Sequence, residues 1–142
     1  MSYTGHCACG AVTVALAGEP FGVGQCWCRQ CQRIAAGSAS NNAIFRADQV
    51  TTTGDLTVHT YPAESGNMSI QSFCAACGTP VFGGSSALAA VVAVKLGILE
   101  QPHDLRPGMV MWTSEAPAWA VIDPALPQFP KSPPMPAPAE AS

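Results

Sequence analysis

The chain has 142 residues, 48% of them hydrophobic and 11% charged. That fits one folded domain with a real core and excludes wholesale disorder or a solvated coiled coil. Six Lys and Arg against nine Asp and Glu leave a net charge of -3, so no basic surface is on offer and nucleic acid is not an expected partner.

Residues 11–16 (Ala-Val-Thr-Val-Ala-Leu) predict a strand from their apolar and β-branched content. The segment around Cys26 predicts a strand end followed by a short helix over 29–36, whose good helix formers stop at Gly37. Residues 42–45 and 56–61 read as strands, with Thr53-Gly54-Asp55 as the turn before the second. Residues 68–73 alternate apolar and polar side chains, the signature of a half-buried strand. Short strands follow at 80–82, 89–96 and 109–112. The expectation is a mainly β protein built of antiparallel sheet, with one or two short helices. Trp112, Trp119 and Phe129 read as core aromatics.

Composition then changes. Seven of the 13 prolines lie between Pro124 and Ser142, and proline supports neither a helix interior nor a sheet ladder. The expected organisation is one domain over 1–130 and an extended, disordered proline-rich tail over 131–142. The longest apolar run, 87–99, contains Lys95 and falls short of the ~20 residues a membrane-spanning helix needs. The first residues carry no basic stretch followed by an apolar run. A soluble, cytoplasmic protein without a membrane partner is expected, and its apolar β surfaces would allow a homodimer.

The seven cysteines are the informative feature: Cys7, Cys9, Cys26, Cys28, Cys31, Cys74 and Cys77. Seven is odd, and neighbours one or two residues apart are too close to bridge without strain. In a reducing compartment such spacing points to metal or catalysis. Cys7 and Cys9 on an extended chain would face one side, and Cys74-Ala-Ala-Cys77-Gly78 reads as a knuckle with glycine to close the turn. Together they supply four thiolates, the set of a closed structural zinc site. Cys26, Cys28 and Cys31 remain. Three ligands plus an open position is the pattern of a catalytic zinc. Two zinc ions per chain are therefore expected, in preference to an iron–sulfur cluster. A protein histidine completing the three-cysteine set would instead make it structural, and His6, His59 and His103 are the candidates. Seven thiolates holding two divalent ions would take the formal charge from -3 to -6. Arg29 and Arg33 stand beside the second set, where they could offset that charge or clamp a substrate carboxylate. Lys95 and Arg46 are weaker candidates for the same role. Trp27 could wall a pocket or simply fill core.

These elements resemble the glutathione-dependent formaldehyde-activating enzyme family, which includes centromere-protein-V-like proteins. The resembling segments are Gly5-His-Cys-Ala-Cys-Gly-Ala-Val12, Cys26-Trp-Cys-Arg-Gln-Cys-Gln-Arg33 and Phe73-Cys-Ala-Ala-Cys-Gly-Thr-Pro-Val-Phe82, with softer matches at Val94-Lys-Leu-Gly-Ile-Leu99 and Leu126-Pro-Gln-Phe-Pro130. The resemblance spans roughly residues 3–134. It implies a zinc-held β-tent (Mss4-like) fold, with Cys7, Cys9, Cys74 and Cys77 on the structural zinc and Cys26, Cys28 and Cys31 on the catalytic one. It also implies a carbon–sulfur lyase that makes S-(hydroxymethyl)glutathione from formaldehyde and glutathione, or acts on a similar small thiol. The chain departs from the family at Trp27, where a histidine is common; an indole neither binds metal nor shuttles protons. The competing expectation is a non-catalytic binding module with two structural metals.

Overall fold

The computed structural model describes residues 2–133. The tail expectation falls largely outside them. Lys131 and Ser132, placed in the tail by composition, are tied back to Trp112: the Trp112 backbone N–H donates to the Lys131 carbonyl at 3.2 Å and the indole N–H to Ser132 Oγ at 3.1 Å.

The fold is mainly β, as expected. Strands β1 (Ser2–His6), β2 (Thr13–Ala17) and β5 (Val50–Thr53) form a small antiparallel sheet in the order β1-β2-β5. Strands β3 (Gly22–Cys26), β4 (Ser40–Arg46), β6 (Leu56–Pro62), β7 (Met68–Cys74), β8 (Pro80–Ser85), β9 (Val91–Lys95) and β10 (Met109–Met111) form a larger one, ordered β10-β3-β4-β9-β8-β7-β6. Its pairings are antiparallel except that β10 runs parallel to β3. The helix α1 (Arg29–Ile34) is the only α-helix among the described residues.

The two sheets bury their apolar faces against each other. β1 and β2 alternate exposed and buried positions, as a strand with one wet face must. Tyr3, Val12, Val14 and Leu16 thereby meet Ala43, Phe45, Val81, Phe82 and Val94 of the large sheet. Gly5 lets β1 lie close against the segment that follows β9. It bridges to Leu99, and a Cβ there would lie 2.3 Å from the Ile98 carbonyl oxygen. A smaller core forms where Trp27, Ala39 and Val110 are covered by Ala116, Ala120, Ile122 and Leu126 of the C-terminal segment. Val110 anchors that segment, donating to the Pro127 carbonyl at 2.9 Å and accepting from Phe129 N–H at 2.9 Å. The three expected core aromatics are not core: Trp112 and Phe129 are half-buried, and Trp119 is 67% exposed and only touches the edge of Trp27, ring centroids 6.3 Å apart.

The other face of the large sheet is polar. Register places Cys26 opposite Ser40, Asn42 opposite Lys95, Gln71 opposite both Gly83 and His59, and Ser69 opposite Tyr61. The pleat puts alternate residues of each strand on the same side, so this face leads from Cys26 at the end of β3 across to β6.

Candidate functional site

All seven cysteines are free, and they gather into the two sets expected from their spacing. In the first, Cys7, Cys9, Cys74 and Cys77 hold their sulfurs within 4.8 Å of one another. Cys7 and Cys9 do not lie on an extended chain as the alternation argument supposed. The strand ends at His6, and the chain turns there, with the Gly10 N–H donating to the Cys7 carbonyl at 3.1 Å. The turn, not the pleat, converges the two sulfurs. Cys74–Cys77 is the expected knuckle, closed by Gly78 N–H on the Cys74 carbonyl at 2.9 Å with Gly78 at φ 78°.

The donors fit a thiophilic ion. Sulfurs bound tetrahedrally to zinc at about 2.3 Å lie about 3.8 Å apart; the Sγ atoms of Cys7 and Cys9 are 3.6 Å apart and those of Cys9 and Cys74 3.8 Å. Backbone N–H groups aim at the sulfurs: Val12 at Cys7 Sγ (3.2 Å), and Ala76 and Cys77 at Cys74 Sγ (3.4 Å each). Such donors favour the thiolate. The Val12 N–H holds the Cys7 thiol below its usual range, and the Thr79 hydroxyl and backbone bring Cys77 to about 5.

The second set is Cys26, Cys28 and Cys31, also within 4.8 Å. Cys26 closes β3 and Cys31 sits in α1, as expected, while Cys28 is the N-cap, its sulfur accepting from Cys31 N–H at 3.3 Å. Hydrogen bonds from Cys26 and Cys31 pull the Cys28 thiol far down, whereas its neighbours Cys28 and Cys31, with burial, push Cys26 far up. Cys28 is also the least buried of the three. Among the described residues no histidine, carboxylate or fourth cysteine joins the set. His6 is exposed and pairs with Glu100 at 2.9 Å. His59 stacks on Tyr61. His103 Nδ1 is buried without a partner elsewhere.

Arg29 and Arg33 point along the helix rather than at the sulfurs. Arg29 Nη1 donates to Gln32 Oε1 at 2.5 Å and Arg33 Nη1 to Gln30 Oε1 at 3.2 Å. Arg46 pairs with Asp48 at 2.9 Å. The buried cation at this set is Lys95, ranked below the arginines by sequence because they are its sequence neighbours and Lys95 is not. Its Nζ donates to Ser40 Oγ at 2.9 Å. Burial depresses its pKa, and the charges of Cys31, Cys26 and Cys28 act against that. Trp27 is buried in the smaller core, with its indole N–H unpartnered. Gln32, also missed by sequence, locks α1 in place: Nε2 donates to the carbonyls of Trp27 (2.7 Å) and Glu115 (3.0 Å), and Glu115 caps the helix by accepting from Arg29 N–H at 2.6 Å.

Ser40 and Lys95 also border a cleft of about 320 Å³ with Ile34, Ala35, Thr79 and Pro80. Ile34 and Ala35 lie one helical turn beyond Cys31, so the cleft flanks the three-sulfur set.

The family model for the glutathione-dependent formaldehyde-activating enzyme matches residues 2–115, a span that includes both cysteine sets. The chain belongs to that family. Membership ties it, at the level of the family, to a glutathione-related role in formaldehyde activation. No curated protein matches it. Among solved structures, a Rhodobacter sphaeroides protein determined by crystallography as a structural-genomics target superposes with a TM-score of 0.55, at 23% identity, over 70% of this chain and 90% of that one. That likeness speaks for the fold. No helix among the described residues is long and apolar enough to cross a membrane.

Proposed function

We propose that this family member joins glutathione to formaldehyde at the Cys26–Cys28–Cys31 set, forming S-(hydroxymethyl)glutathione in the manner of a carbon–sulfur lyase. In this reading each chain carries two zinc ions. Cys7, Cys9, Cys74 and Cys77 hold the structural ion, and Cys26, Cys28 and Cys31 hold the working one. The observation that carries the reading is the inequality of the two sets. Four sulfurs complete a tetrahedron and leave no position for a substrate; three leave one.

Bound there, zinc would supply Lewis acidity toward a carbonyl oxygen and a low-pKa environment for a thiol sulfur. The chain's own residues do the rest. Cys28, at the mouth of the set, presents the accessible side of the site. Gln32 and Glu115 fix α1, so the three sulfurs keep one geometry. Lys95 brings a positive charge to a thiolate-rich place, lowering the cost of burying anionic sulfur. The reaction needs the thiol as its thiolate, which is scarce at neutral pH for a free thiol.

The test is the rate at which formaldehyde and glutathione exchange with their adduct, followed by magnetisation-exchange NMR on protein of measured zinc content. The reading expects acceleration that scales with zinc at the second set. Two equivalents of zinc without any acceleration would favour a binding module whose metals are both structural.

A further inference from the structure

The cleft of about 320 Å³ beside the three-sulfur set combines apolar walls, such as Ile34 and Pro80, with the polar side chains of Ser40, Asn41, Thr79 and Lys95. None of its lining residues is acidic. Bonds within the protein already engage the side-chain oxygens. Lys95 Nζ donates to Ser40 Oγ at 2.9 Å, and the Ser40 hydroxyl donates in turn to Asn42 Oδ1 at 3.1 Å. Asn41 Oδ1 accepts from Gln25 Nε2 at 3.0 Å. Thr79 Oγ1 accepts from the Ala8 N–H at 3.1 Å and lies 3.1 Å from Cys77 Sγ. What these side chains still offer are donors: two N–H groups of the Lys95 ammonium and the amide N–H groups of Asn41.

Lys95 is also a cation without a carboxylate. It is 8% exposed, no salt bridge among the described residues includes it, and the negative charges acting on it belong to Cys31, Cys26 and Cys28. Those sulfurs are the metal ligands of the reading above. A cation, spare donors and no acid in a partly apolar cleft suit a carboxylate, which only accepts. An ammonium would meet like charge there, and an alkyl group would leave the donors unpaired. We propose that Lys95, with Asn41, anchors the carboxylate of the thiol substrate's C-terminal residue in this cleft, and so selects a peptide-like thiol with an anionic end close to its sulfur. The inference rests on the reading of Cys26, Cys28 and Cys31 as the reacting centre. It gives Lys95 the clamp expected first of Arg29 and Arg33, whose guanidinium groups are turned to Gln32 and Gln30. Of glutathione's two carboxylates, the glycine one is nearer to the sulfur along the chain, so it is the one the adjoining cleft receives.

The experiment measures binding, so it does not depend on turnover. Full-length, metal-bound protein is titrated calorimetrically with glutathione and with its glycine ethyl ester, which keeps the thiol and the γ-glutamyl end but loses the one charge. The acid should bind about tenfold more tightly or better, as a charge-assisted hydrogen bond in a buried place requires. Lys95→Met removes the cation at similar length, and should bring acid and ester to within about twofold of each other by weakening the acid alone. Asn41→Asp keeps Lys95 and the bond from Gln25, and adds a negative charge to the cleft wall; it should weaken the acid about tenfold and the ester far less. Zinc content measured on each sample shows that the variant is loaded, and Asn41→Asp decides if Lys95→Met does not keep both metals. Equal affinities of acid and ester in the unsubstituted protein, or a preference that the loaded variants retain, would overturn the assignment. Exchange rates taken on the same samples separate the two ideas. A preference without acceleration sinks the reaction and leaves the anchor standing, while acceleration without a preference does the reverse.

Discussion

The sulfurs of Cys9 and Cys74 lie 3.8 Å apart although 65 residues separate them in the chain. The four-cysteine set therefore pins the turn after β1 to the end of β7, and so one sheet to the other. An ion bound there carries folding free energy directly, of order 10 kcal/mol for small structural zinc sites, which is comparable to the whole stability of a domain. Cys74→Ser, or exhaustive chelation, should unfold the protein at 25 °C, seen as loss of the β-sheet circular dichroism signal and of thermal cooperativity.

Cys28→Ser should behave differently. Cys28 is the least buried of its set and bridges no distant parts of the chain. The variant should melt within a few degrees of the unsubstituted protein. It should keep one zinc and lose the second, and the adduct exchange rate should fall about a hundredfold or more, ligand losses being at least as costly as the losses of about 10–100-fold seen for supporting residues. Metal analysis and exchange NMR on the same sample check both halves.

Much of this was legible in the sequence. Strands β2, β4, β6, β7, β8, β9 and β10 and the helix after Cys28 lie where β-branched content, turns and Gly37 place them. The end of β3 at Cys26 was legible too, but not its extent, and two strands were not legible at all: β1 (Ser-Tyr-Thr-Gly-His) contains glycine, and β5 is short and threonine-rich; both owe their conformation to the neighbours they pair with rather than to propensity. The cysteine sets were legible because sulfur spacing is local chemistry. Lys95 was legible only as a weaker candidate than Arg29 and Arg33, since it comes to the cysteines through strand register and not through sequence neighbourhood.

Gly5 tests the contact between β1 and the Ile98–Leu99 segment. A methyl there would overlap the Ile98 carbonyl, backbone that cannot swing aside. Gly5→Ala should cost about 3 kcal/mol or more, in the range of severe overpacking, and appear as a lowered midpoint in chemical denaturation with an unchanged slope.

Tyr3 predicts how stability responds to base. Its hydroxyl donates to Glu19 Oε2 at 2.7 Å and Asp104 Oδ1 at 3.1 Å. Burial, then those two carboxylates, raise its pKa above the usual 10.0. The folded state thus holds the phenol proton more tightly than the unfolded chain. This contribution is full below pH about 10 and is lost as pH rises above it. Tyr3→Phe should cost about 1 kcal/mol at pH 7, and the gap between the two proteins should close as denaturation is repeated toward pH 11.

The central claim is that three cysteines, not four, make the reacting centre, and the exchange of formaldehyde between solution and glutathione is the measurement that meets it directly. Protein with both sets filled should accelerate that exchange, and Cys28→Ser protein with only the four-cysteine set filled should return it to the uncatalysed rate. Equal acceleration by the two proteins, at matched occupancy of the four-cysteine set, would contradict the claim.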